Sequence, residues 1–293
     1  MIVPISSLDV IYLTYDEPKK EEFWIKIQNM VPWAVRVDGV NGSDAAHKAA
    51  AAASNTDRFV LVDGDNLPNS EFFDQSLTLD DTNKDCVFRW RAKNSINGLA
   101  YGNGGLSCWT KEFVNNMRTH EATDGRDSTQ IEFCFDPKYW ALHNCYSTTY
   151  PNGSAYHAWR AGFREGVKMC TNQGTRVSLQ EFENCVWDGN LKNLCTWHNV
   201  GADVEYGVDA MAGARLGTYL TMCTDWDHKQ VQSFDALQTL YAERTQYNMI
   251  EVSTILNKKL SLPIADLDSA ASAFFKYYGL TQHQNKDIMA KAF

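Results

Sequence analysis

One run, Arg58-Phe59-Val60-Leu61-Val62-Asp63-Gly64-Asp65-Asn66, constrains this chain more than any other. Its apolar half is short and rich in Val and Phe, which predicts a buried strand. The strand ends in Asp63-Gly64-Asp65, so both acids emerge at its carboxyl end. In open α/β sheets ligands bind at that edge. Gly64 allows the backbone to come close to whatever sits there. Two hard oxygen donors suit Mg²⁺ or Mn²⁺ carrying a phosphate-bearing substrate. An Asp-Gly pair also suits an ordinary solvated turn, and the tripeptide alone does not separate the two.

The context favours the sheet. Leu8–Leu13 reads as a strand, Lys19–Met30 as a helix with Phe23, Ile27 and Met30 on one side, and Ala34–Val37 as a second strand. Ser43 or Asp44 can cap a helix running to Ala53. This β-α-β-α-β order predicts a mostly parallel, Rossmann-like sheet with helices on its faces. Cys86–Arg91 reads as a further strand, 97–105 as a glycine-rich loop, Trp109–Arg118 as a helix, 119–128 as a loop and Ile131–Phe135 as a strand. The last third is mainly helical, with candidates at Ala155–Cys170, Asp235–Thr245 and Asp268–Tyr278. The expected organisation is a catalytic core over 1–178 and a helical region over 179–293.

With 44% hydrophobic and 22% charged residues, the 293-residue chain can build a sizeable core. No apolar run approaches the ~20 residues needed to cross a bilayer. Met1–Asp9 lacks a basic leader, so a cytoplasmic location and no membrane partner are expected. The eight cysteines form no C-x-x-C pair, which predicts reduced, mostly buried thiols rather than structural zinc. A net charge of −9 argues against indiscriminate nucleic-acid binding while leaving room for a local basic groove.

Several further constellations carry chemistry. On a helix, His157, Arg160, Arg164 and Lys168 fall at i, i+3, i+7 and i+11 and share one face. Three cations behind a histidine suit a diphosphate, with His157 able to ligate a metal. The competing reading is a solvated basic face with Trp159 and Phe163 in the core. Gly162 and Gly166 lower helix propensity there and call for a packing or approach reason. The segment Tyr101-Gly102-Asn103-Gly104-Gly105-Leu106 frees backbone amides that can line an acceptor pocket, with Asn103, Gly104 and Gly105 as candidates. Arg89-Trp90-Arg91 suits a nucleic-acid backbone with a stacked base, though an edge strand with exposed charges fits it equally. Among Glu121, Asp124, Asp127 and Glu132, Asp127 is the candidate base for an inverting transfer. Asn199–Gly217 reads as a shaped, glycine-rich loop without assigned chemistry. His198 beside Trp197 is a competing metal ligand or a packed core histidine.

Together these residues resemble a GT-A family glycosyltransferase. Asp63-Gly64-Asp65 is similar to the family's D-x-D element, and Tyr101–Leu106 to its acceptor-side glycine segment. Tyr-Gly-Asn-Gly-Gly, His-Ala-Trp-Arg-Ala-Gly-Phe-Arg-Glu-Gly-Val-Lys and Gly-Ala-Arg-Leu-Gly more narrowly resemble bacteriophage enzymes that glycosylate hydroxymethylated pyrimidines in DNA. The resemblance spans roughly Leu8–Gly217. It implies a UDP-sugar donor (glucose- or arabinose-like) with Mn²⁺ or Mg²⁺ and a 5-hydroxymethylcytosine acceptor in phage DNA. It places the metal on Asp63, Asp65 and His157. Thr14, Tyr15 and Asp38 then hold the nucleoside, and Arg160, Arg164 and Lys168 the diphosphate. Host cytoplasm is the implied location of a phage-encoded chain. Two alternatives stand beside this reading: the same fold acting on a glycan or protein, and a non-catalytic nucleotide or nucleic-acid binding module. A nucleotidyltransferase would use similar acids, but the glycine-rich signature expected near its N-terminus is absent.

Overall fold

The computed structural model describes residues 1–117, 136–172, 174–186 and 188–280, with backbone only at 102–104 and 279. The described residues divide into two compact units, one of 1–94, 100–117 and 136–150, the other of 95–99 and 151–280. The chain passes from the first unit to the second at Tyr150/Pro151, and residue 178 lies within the second. Candidate base Asp127, the neighbouring acids Glu121, Asp124 and Glu132, and the strand expected over Ile131–Phe135 lie outside the described residues.

The first unit begins with β1 (Ile2–Pro4), β2 (Asp9–Thr14), α1 (Lys20–Met30), β3 (Val35–Asp38), α2 (Ser43–Ala53) and β4 (Arg58–Asp63). It continues through β5 (Asn66–Pro68), β6 (Ser76–Thr78), β7 (Val87–Asn94), β8 (Ala100–Thr110), α3 (Lys111–Asn116) and β9 (Tyr139–Thr149). A seven-stranded sheet runs in the order β3-β2-β4-β8-β7-β9-β5, while β1 pairs β6 separately. The α/β class is as expected. The sheet is mixed rather than mostly parallel: β3, β2 and β4 run parallel, and β8 lies antiparallel to both β4 and β7.

The apolar run of β4 is continuous because the strand lies between β2 and β8 with both faces covered. Val60 and Val62 pack with Val10, Tyr12, Phe23 and Ile27, the last two from α1. Phe59 and Leu61 point the other way, onto Ile11, Trp109 and the alanines Ala50 and Ala51 of α2. The period-2 alternation of a strand feeds two cores from one segment. The N-cap of α2 is Gly42, at φ +89°, and Ser43 is already helical.

The glycine-rich segment expected to be a loop is part of β8. Arg89 pairs with Ser107 and Arg91 with Gly102, so Trp90 alone faces residues 103–106 across a bulge. Glycine marks such bulges as readily as it marks loops. The long strand β9 has no counterpart in the sequence reading.

The second unit contains α4 (Ala155–Lys168), β10 (Thr171–Asn172), β11 (Thr175–Arg176), α5 (Phe182–Cys185), α6 (Asp188–Asn199) and α7 (Gly207–Cys223). It ends with α8 (Phe234–Glu243), α9 (Met249–Leu260) and α10 (Ser269–Phe274), the last running into a π-helical turn, Phe275–Gly279. The expected loop at 199–217 is mostly the buried helix α7. Its Gly213 and Gly217 lie against the carbonyls of Trp159 and Phe163, and Gly162 and Gly166 of α4 lie against those of Ala210 and Ala214. Four glycines therefore let two helix backbones touch, and each would drive a Cβ into a carbonyl oxygen of its partner helix.

Candidate functional site at the rim of the parallel strands

Thr14, Asp38 and Asp63 end β2, β3 and β4, and the register brings them to one rim, with Thr14 opposite Asp38 and Leu13 opposite Asp63. Asp38 stands exposed there. Its Oδ1 accepts from Thr14 Oγ1 at 2.6 Å and Lys20 Nζ at 2.8 Å. The Lys20 and Thr14 bonds hold its carboxyl below the usual range, so it is an ionised acceptor facing solvent. Arg36 closes this corner by donating to Thr14 Oγ1 at 3.0 Å and gripping Glu21 with both terminal nitrogens. Thr14 itself is 2% exposed, so its hydroxyl positions Asp38 rather than reaching a ligand directly. Tyr15 is exposed beside it, with its backbone N–H donating to Glu17 Oε2 at 2.8 Å and its carbonyl accepting from Lys20 Nζ.

Glu17 lies in the connection between β2 and α1 and has no counterpart among the sequence candidates. In the structure its carboxylate lies directly over the α-carbon of Gly64, with Cγ at 3.1 Å from where a Gly64 Cβ would stand. Gly64 thus leaves open the space that the Glu17 carboxylate occupies. Tyr12, fully buried and stacked on Trp24, donates its hydroxyl to Gly64 O at 2.8 Å and fixes the turn from below. Asp65 is held from the far side, where Thr149 Oγ1 donates to its Oδ2 at 3.2 Å and Tyr150 N–H to its carbonyl at 2.7 Å.

Three carboxylates thus surround one glycine. Asp63 keeps some exposed surface, yet burial, then Asp65 and then Glu17, push its carboxyl up to about 8. Glu17 is likewise raised, mainly by burial, with Asp65 adding to it. Both charges that shift Asp63 are negative, so no cation offsets them at that side chain. Hard oxygen donors with unbalanced charge fit Mg²⁺ or Mn²⁺. Among the described residues no three His, Cys, Asp or Glu side chains are already gathered as a coordination set.

The α4 stripe is realised on the helix of the second unit. His157, Arg160, Arg164 and Lys168 are half-buried, while Trp159 and Phe163 lie in the core. Ser154 caps the helix, accepting from His157 N–H, and its Oγ is 2.7 Å from His157 Nδ1. The guanidinium carbons of Arg160 and Arg164 lie 4.4 and 5.4 Å from the centre of the Phe234 ring. Phe234 is a partner the sequence did not suggest. Gly162 and Gly166 serve the α4–α7 contact and give no sign of ligand approach. His198 is a core residue. It is fully buried with Nε2 2.9 Å from Thr218 Oγ1, and burial pushes it down to about 3, so it is neutral.

The acceptor set is split. Trp90 is 4% exposed and packs edge-on against Phe72 at 4.7 Å, so it is a core residue and not a stacking platform. Alternation along β7 puts Arg89 and Arg91 on the opposite face. Arg89 lies over Tyr139 at 5.0 Å, and Arg91 Nη2 meets His143 Nδ1 at 2.8 Å. Asn103 and Gly104 belong to the bulged part of β8, and Gly105 is buried against Asn66.

No protein-family model and no curated protein matches the chain. The chain is similar to a solved glycosyltransferase involved in the glycosylation of the major capsid of PBCV-1. The identity is 13%, the TM-score 0.30, and the match covers 48% of this chain and 91% of that one. It is also similar to HddC from Yersinia pseudotuberculosis, at 13% identity and TM-score 0.28 over 50% of this chain and 75% of that one.

Proposed function

We propose that the protein is a metal-dependent glycosyltransferase using a UDP-sugar donor. The observation that carries this is the placement of Asp63 and Asp65 on either side of Gly64, with the Glu17 carboxylate over that glycine and ionised Asp38 at the same carboxyl rim of β2, β3 and β4. Asp38 accepts from a hydroxyl of the nucleoside, Thr14 and Lys20 hold it in place, and Tyr15 lies exposed beside it. Asp63 and Asp65 hold Mn²⁺ or Mg²⁺, and Tyr12 and Thr149 keep the turn between them in position. A bound divalent cation supplies charge neutralisation to a diphosphate leaving group. For α4 the proposal assigns metal ligation to His157 and phosphate binding to Arg160, Arg164 and Lys168.

The proposed acceptor is a hydroxymethylated pyrimidine, 5-hydroxymethylcytosine, in phage DNA, on the strength of the sequence resemblance. Arg89 and Arg91 supply phosphate contacts, without Trp90. The proposed location is the cytoplasm. Among the described residues no helix is long and apolar enough to cross a membrane, and the cysteines are free.

The test is donor hydrolysis and transfer with Mn²⁺ and with EDTA, offering hydroxymethylated duplex, plain duplex and a glycan in parallel. The proposal expects activity with Mn²⁺, loss with EDTA, and at least a ~100-fold drop in Asp65→Ala. Full activity of Asp65→Ala removes the metal role. Transfer to the glycan alone removes the DNA acceptor.

A further inference from the structure

Asn66 follows Asp65 immediately and is fully buried. Neither Oδ1 nor Nδ2 of its carboxamide has a hydrogen-bond partner. Buried amides are almost always paired, so an orphan with both ends open needs a reason. Its surroundings are polar as well. Asn66 pairs with Thr149 across the β5–β9 ladder, and Thr149 pairs with Asn94 across β9–β7. Residues directly opposite in a ladder share a face. Ser147, two residues before Thr149 and on the same face, is also buried with an unpartnered Oγ. This polar row joins the rim through Thr149, whose hydroxyl donates to Asp65.

Asn66 also fits its neighbour closely. A Cβ on Gly105 would stand 2.5 Å from Asn66 Nδ2. Gly105 thus keeps open the space that the carboxamide fills. It lies in the stretch 103–106 of β8 that makes no register pairing with β7, so this wall of the row has no continuous ladder on that side.

We propose that Asn66, with Ser147 beside it, is a specificity-determining contact for hydroxyls of the transferred sugar, a role that rests on the nucleotide-sugar reading of the rim. A carboxamide donates and accepts at once, as vicinal sugar hydroxyls do, whereas a phosphate oxygen only accepts. A buried amide left unpaired by the wrong hydroxyl pattern discriminates strongly between sugars.

The experiment is thermal-shift titration of the full chain with Mn²⁺ and UDP. UDP-glucose, UDP-galactose, UDP-arabinose and UDP-N-acetylglucosamine are titrated in parallel against wild type, Asn66→Leu and Asn66→Asp. In wild type one sugar nucleotide raises Tm beyond UDP alone. Asn66→Leu keeps the UDP shift and loses the sugar increment, its affinity for that sugar nucleotide falling roughly 10-fold. Its ligand-free Tm is no lower than wild type, because it removes an unpaired polar group. Asn66→Asp keeps the shape, loses the donor and also loses the increment.

An increment retained in both variants overturns the proposal. So does a ligand-free Asn66→Leu that melts several degrees early, which would show a carboxamide already satisfied, for instance by water. A wild type shifted by UDP but by no sugar overturns the sugar contact and leaves the nucleotide reading standing. A wild type shifted by neither removes that reading, and this one with it.

Discussion

Gly64 separates stability from function at the scale of one residue. A methyl group there meets the end of a flexible glutamate, which can swing away. Gly64→Ala should cost only ~1 kcal/mol of stability while displacing Glu17 and weakening Mn²⁺ and donor binding together. Denaturant melts and metal titration on one sample check this, and unchanged binding would remove Glu17 from the site. Asp63 gives a pH signature. Its folded-state carboxyl is raised from 3.8 to about 8, so the folded protein holds a proton that the unfolded chain has released. Metal-free protein therefore loses stability as pH rises through that window. Tm measured against pH in EDTA should fall across it, and Asp63→Asn should flatten the fall. An identical slope in Asp63→Asn would contradict the burial argument. The sequence made Asp63 and Asp65 legible because an apolar strand points at them. It did not make Glu17 legible, because a side chain that folds back from another loop leaves no local pattern.

Among elements, α4 and α7 show a signal that the sequence leaves open between packing and ligand approach at α4, and between loop and helix at α7. The glycines at 162, 166, 213 and 217 are spaced by four, which keeps each pair on one face of its helix. The structure uses that face for backbone contact. Gly162→Ala would push a Cβ into a backbone carbonyl that cannot swing away, and should cost ~2–3 kcal/mol. Gly39→Ala, at φ +73° in open space, should cost only ~1 kcal/mol, for backbone strain alone. Equal losses in denaturant unfolding would mean that α4 and α7 do not rely on close approach. Strand β4 and helices α1, α4 and α8 could be read from period and composition. Strand β9 could not, since five of its eleven residues are exposed, with apolar Trp140 and Ala141 among them, and its ladder with β7 is irregular, so no clean alternation marks it. The same irregularity turned a glycine-rich strand into an apparent loop.

At the scale of the whole molecule, a net charge of −9 bears on the acceptor. A DNA acceptor then needs local cations to overcome the general repulsion, and its binding must fall steeply with salt. Arg89→Ala and Arg91→Ala should each lower the salt slope by about 1. Trp90→Ala should instead lose ~3–5 kcal/mol of stability, as a core truncation does. Binding of hydroxymethylated duplex measured from low to high salt reports the first effect, and salt-independent binding would point to another acceptor. The two-unit organisation places the acids in the first unit and the α4 stripe in the second. The chain's acidic rim carries the central claim by itself. Calorimetric titration of Mn²⁺ into the full chain with UDP present tests it most directly. The account predicts saturable binding in wild type that weakens at least ~10-fold in both Asp63→Asn and Asp65→Asn. Undiminished binding in both variants, or none in wild type, would contradict it.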